Sequence, residues 1–103
     1  MKAEIAHLVI ATKAKQKGTG DYTVQHREFR LNPNEQRVTD GENETWMLLG
    51  HTGNVAIESN EGFYRIDGSQ NTEDVHVHEG VFYITNLDED VNFVEFLQVT
   101  WVL

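Results

Sequence analysis

A chain of 103 residues with eight lysines and arginines against seventeen aspartates and glutamates carries a formal charge of −9. That length suits one domain able to bury about 65% of its extended-chain surface, and that charge repels phosphate backbones, arguing against nucleic acid as a partner. The absence of cysteine excludes disulfides and thiolate metal sites, and no run of about 18 apolar residues offers a membrane span.

The charge is uneven. Residues 1–30 hold six basic and three acidic side chains, or +3, while residues 31–103 hold two and fourteen, or −12. The start reads as structure more readily than as a leader, which together with the missing cysteine favours a cytoplasmic or other reducing compartment. A virion-associated role is compatible with that expectation.

In chain order, Glu4 to Lys13 alternates imperfectly, with apolar groups on both sides, and reads as a strand covered on both faces. Lys15 to Asp21 carries two glycines and reads as a turn leading to a second strand from Tyr22 to about Leu31, the two forming a hairpin. Asn32-Pro33-Asn34 ends that strand. Gln36 to Glu44 is polar and reads as the longest irregular connection. Thr45 to Gly50, Val55 to Glu58 and Phe63 to Ile66 follow as short strands separated by turns at His51–Asn54 and Ser59–Gly62. Asp67 to Asp74 is a second polar loop. Val75 to Thr85 reads as one strand with Gly80 as a possible bulge. Val91 to Leu103 is the longest apolar segment, with large groups on both sides.

No helical window stands out. Seven to eight short strands at regular spacing indicate a single all-β domain over residues 1–103. An antiparallel sandwich, jelly-roll or other Greek key, or a small barrel would satisfy the pattern.

Chemistry-bearing residues gather by spacing at one place. His76 and His78 share a strand face about 7 Å apart, with Glu73, Asp74 and Glu79 beside them. With His51 as a distant third imidazole and Glu79 as a carboxylate, the set could hold one divalent transition metal. The His-x-His spacing is similar to the first motif of the cupin family, which adds a glutamate about four residues on and a further histidine downstream. Here Phe82 stands four residues after His78, and no histidine follows. The resemblance implies a metal-dependent small-molecule enzyme or sensor. A milder role is electrostatic: nearby carboxylates favour imidazolium, and protonating all five histidines would take the formal charge from −9 to −4.

The adjacent aromatics Phe63-Tyr64 and Phe82-Tyr83 point to opposite faces, one of each pair toward the core and the other available as a sugar-stacking platform. That supports a carbohydrate-binding alternative. No nucleophile elbow or phosphate-binding glycine loop is present. The leading expectation is a non-enzymatic module that works through a protein partner or self-association, without a cofactor, a role that suits a viral or phage accessory protein. The C-terminal strand supplies the argument. Phe96, Val99, Trp101 and Leu103 keep both faces apolar to the end, and an uncovered apolar strand invites a partner.

Overall fold

The structure is a computed structural model and describes residues 3–39, 43–60, 62–66 and 76–102. Within them one helix, α1 (Ala3–Lys17), precedes eight strands: β1 (Tyr22–Leu31), β2 (Gln36–Val38), β3 (Glu44–His51), β4 (Val55–Ser59), β5 (Gly62–Ile66), β6 (Val77–Glu79), β7 (Tyr83–Asn86) and β8 (Asn92–Trp101). They form two four-stranded antiparallel sheets, β1-β8-β3-β6 and β2-β7-β4-β5. Only the β4–β5 connection stays within one sheet; every other step along the chain crosses between layers. The expected all-β class is what the chain adopts.

The first segment departs from the expected strand. Residues 3–17 are helical, and the expected hairpin with β1 does not exist. Ala6 and Ile10 are buried, with Val9 and Ala14 beside them, so the inward positions recur at helical spacing. Glu4 in the first turn and Lys15 and Lys17 in the last oppose the helix dipole favourably. Gly18 ends it in the left-handed region, φ 68°, with its N–H on the Lys15 carbonyl and the Thr19 N–H on Ala14.

Two apolar layers result. Between the sheets lie Phe29, Leu31, Trp46, Leu48, Val55, Ile57, Ile66, Phe82, Ile84, Val94 and Phe96. On the far side of the first sheet, α1 seats Ala6 and Ile10 against Met47, Leu97, Val99 and Trp101. β8 runs between β1 and β3 and serves both layers. This accounts for its two apolar faces without a second molecule. Phe96 and Val99 are fully buried and Trp101 is 3% exposed within the single chain, which corrects their expected place in an interface. Leu103 lies outside the described residues.

Two further boundaries differ. The expected strand from Val75 to Thr85 is broken at Gly80, whose φ of 76° lets the chain leave the first sheet as β6 and enter the second as β7. Phe82, fully buried, fills the space that this crossing spans. Part of the expected Gln36–Glu44 connection is strand, since β2 pairs with β7 from Gln36↔Thr85 to Val38↔Tyr83. Residues 40–42 of that connection, and the loop from Asp67 to Asp74, lie outside the described residues.

A polar cluster fastens one end of the sandwich. Asn86 is fully buried, and its Nδ2 donates to the carbonyls of Leu31 (3.0 Å), Asn32 (3.2 Å) and Asp90 (2.7 Å). Its Oδ1 accepts from the Asp88 N–H and from Asn92 Nδ2, both at 2.8 Å. Asp88 in turn accepts from the backbone N–H of Asn54 at 2.7 Å, its Nδ2 at 2.8 Å, and Asn92 Nδ2 at 3.0 Å. These bonds hold the Asp88 carboxyl below its usual range, the Asn54 backbone N–H contributing most.

Candidate functional site

The two outer faces of the sandwich are treated differently by the chain. α1 covers the first sheet. No described element covers the second, and alternation along its strands decides what it shows. In β4 the inward residues are Val55 and Ile57, leaving Ala56, itself buried at 5% exposure, and exposed Glu58 on the other face; in β5 Phe63 and Arg65 point outward, and in β7 Tyr83 and Thr85 do. The register places Val38, Tyr83, Glu58 and Phe63 side by side across all four strands. Gln36, Thr85, Ala56 and Arg65 form the next row.

The first row is an exposed apolar band interrupted by one carboxylate. Val38 is 56% exposed, Tyr83 39% and Phe63 59%. Glu58 stands between the two rings, which are two strands and so about 10 Å apart. Neither Glu58 nor the Tyr83 hydroxyl has a hydrogen-bond or ion-pair partner among the described residues. A crevice of about 340 Å³ lined by Glu58, Ser59, Asn60, Val81 and Tyr83 opens at the end of this row. Val81, 43% exposed, extends its apolar character.

The histidines anticipated as ligands are distributed otherwise. His76 and His78 do share a face, their rings stacked with centroids 6.1 Å apart, and Tyr64 of β5 meets both edge-on at 5.3 and 5.5 Å. His78 is 1% exposed and lies against Phe82 and Ser59, with Ser59 Oγ and His78 Nδ1 separated by 2.6 Å. A buried imidazole requires such a partner. Glu79 points the other way, toward α1. Its Oε1 accepts from Lys13 Nζ at 2.8 Å, with Lys17 Nζ 3.7 Å away, and the Lys13 hydrogen bond chiefly lowers its carboxyl from the ordinary value. His51 lies at the end of β3, past a bulge after Leu48, with Nδ1 3.0 Å from the Gly53 carbonyl. Among the described residues no three histidines or carboxylates form a group able to hold a metal ion, so His51, His76, His78 and Glu79 are not brought to one point. Glu73 and Asp74 lie outside the described residues.

The aromatic pairs resolve unevenly. Phe82 is core and Tyr83 outward, as expected, but Phe63 and Tyr64 both retain exposure, the latter 36%. Sequence reasoning missed Val38, Glu58 and Arg65. The alternation in Val55–Ser59 and Gly62–Ile66 carried a signal for the last two; Val38 sat in a stretch read as loop.

No helix among the described residues is long and apolar enough to cross a membrane. Comparison with protein-family models, curated protein sequences and solved structures gave no match to this chain.

Proposed function

We propose that this protein is an interaction module that works by contact, docking a protein through the outer face of its second sheet. One observation carries the reading: Val38, Tyr83 and Phe63 form an exposed row on a sheet face that no described element covers, while α1 covers the opposite one. Scattered apolar residues are ordinary on a protein surface, whereas a contiguous row rimmed by polar groups is characteristic of binding surfaces. The row is aromatic-rich, as the centres of protein interfaces are. The strand order β1-β8-β3-β6 over β2-β7-β4-β5 also fits a jelly roll, an architecture used in viral capsids and in lectins. That leaves room for a virion accessory role, although architecture alone does not decide function.

Phe63 and Tyr83 on either side of Glu58 also suit a sugar, whose apolar face stacks on rings while its hydroxyls meet a carboxylate. The row, however, continues into Val38 and Val81, which offer hydroxyl groups nothing. A protein partner uses all of it.

The test is a photo-crosslinking amino acid placed at position 63, in cells that make the protein, with the same group at the exposed helix position Thr12 as control. Position 63 should give discrete protein adducts that position 12 does not. Absence of any protein adduct at position 63 would end the interaction reading.

A further inference from the structure

The two rows on the outer face of the second sheet are complementary to themselves. Consider a two-fold axis parallel to the strands, passing between β7 and β4 and midway between two facing copies. It lays β7 over β4 of the second copy and β2 over its β5, because the order is β2-β7-β4-β5. Each row stays level with itself. Val38 then meets the second copy's Phe63, apolar on apolar. Tyr83 meets the second copy's Glu58, a hydroxyl donor on a carboxylate acceptor. Gln36 meets the second copy's Arg65, while half-buried Thr85 lies level with Ala56, which is only 5% exposed within its own chain, so the outer contacts carry the interface. A two-fold repeats every one of these contacts.

We infer that the occupant of this face is a second copy of the chain, packed sheet on sheet about that axis. The inference rests on the interaction reading above and names its partner. The donor–acceptor match is the argument that selects a second copy. Glu58 and Tyr83 lack partners among the described residues, and the two-fold supplies each with the other. A chain of net charge −9 resists self-association in general. This face is suited to it because its two rows hold one acid, Glu58, and one base, Arg65. Aligned sheets pack about 10 Å apart, a gap that Tyr, Phe and Glu side chains fill. Four strands at about 4.8 Å by about four residues at about 3.4 Å give a footprint of roughly 260 Å² before side-chain relief. That is below the roughly 800 Å² per partner of a standard interface, so the dimer is weak and concentration-dependent.

The closing experiment uses the whole protein, sedimentation velocity across a concentration series, and native mass spectrometry. Wild type should pass from monomer to dimer as concentration rises. Val38→Lys and Phe63→Glu should each weaken the dimer at least about tenfold, with melting temperatures close to wild type because both side chains point outward. Mixing the two variants should then produce a heterodimer in preference to either homodimer. One of its two symmetry-related 38–63 contacts is wild type, and the other brings the introduced charges together. Phe63→Ser, which adds no charge, should weaken self-association in the same direction. A wild-type protein that stays monomeric throughout, or a mixture that gives no heterodimer, overturns the second-copy assignment. If position 63 nevertheless crosslinks to a different protein, the interaction reading survives and only the identity of the partner falls.

Discussion

Replacing Asn86 should destabilise the fold more than any single outward substitution in the second sheet. An asparagine amide offers two donor hydrogens and two acceptor lone pairs. Here all four are used: the two hydrogens are shared among the carbonyls of Leu31, Asn32 and Asp90, and the oxygen accepts from the Asp88 N–H and Asn92 Nδ2. With the side chain fully buried, Asn86→Ala leaves those groups without the amide and with little access to water. At about 1 kcal/mol net for each of four bonds, the loss is about 4 kcal/mol, a large share of the roughly 5–15 kcal/mol of a typical domain. In urea, with a slope of about 1–3 kcal/mol/M, the midpoint should fall by more than about 1 M. Asn86→Asp separates bonding from packing, since it conserves volume while aiming a carboxylate at three carbonyl oxygens. Its folded-state pKa should be raised, so this variant alone should gain stability as pH falls through that value. A loss below about 1 kcal/mol for Asn86→Ala, or an Asn86→Asp variant as stable as wild type at neutral pH, would show that the cluster contributes little.

Gly53→Ala should cost about 2 kcal/mol or more in the same assay, because Gly53 holds φ 63° and an added Cβ would run into Asn92 and Asp88. Gly50→Ala, where a Cβ meets nothing within 4 Å, should be close to neutral; equal effects would refute the steric account. Ile10→Ala should cost about 2–5 kcal/mol and increase binding of an apolar dye as α1 loosens from Met47 and Leu97, whereas unchanged stability would mean that the helix is not seated there. Acid should destabilise the protein through Asp88, Glu35 and Glu79. Glu35 is lowered chiefly by the Asn32 backbone N–H, and all three carboxyls titrate below their ordinary values. Their contribution is therefore complete above about pH 5 and lost as pH falls through the folded-state values. Asp88→Asn should flatten the acid limb of melting temperature against pH; an unchanged limb would remove Asp88 from this account.

The strands were largely legible because alternation and turn chemistry agree in the chain from Tyr22 onward. Val55–Ser59 and Gly62–Ile66 fall within a residue of where their apolar runs and glycines place them. The helix was not legible as such. Its inward stripe is narrow, with Ala6, Ile10 and Ala14 supplying little bulk, while Ile5 and Leu8 put equal apolarity on the solvent side at 41% and 70% exposure. A pattern apolar on both sides suits a doubly covered strand as well as a helix, and only the glycine stop at position 18 argued for the second. The break at Gly80 was visible as a glycine, but nothing local says whether a strand bulges or changes sheets.

That one misreading moved the expected interaction site. With the first segment taken as strand, β8 had an apolar face too many, and a partner was the natural cover. Once residues 3–17 form a helix, Val99 and Trp101 are covered by it, and Lys17 lies 5.6 Å over the Trp101 ring. The surplus is then on the other side of the molecule. Among the described residues no helix covers β2, β7, β4 and β5, and Val38, Tyr83 and Phe63 are what they show. A short strand with one outward aromatic looks unremarkable in a linear reading. Two of them, with Val38 beside them, become a surface only when register sets them in one row, and register is fixed by crossings such as Gly80 that bring residues 38, 83, 58 and 63 level. The location of the face is therefore a property of the topology, whereas its chemistry was already present in the residues.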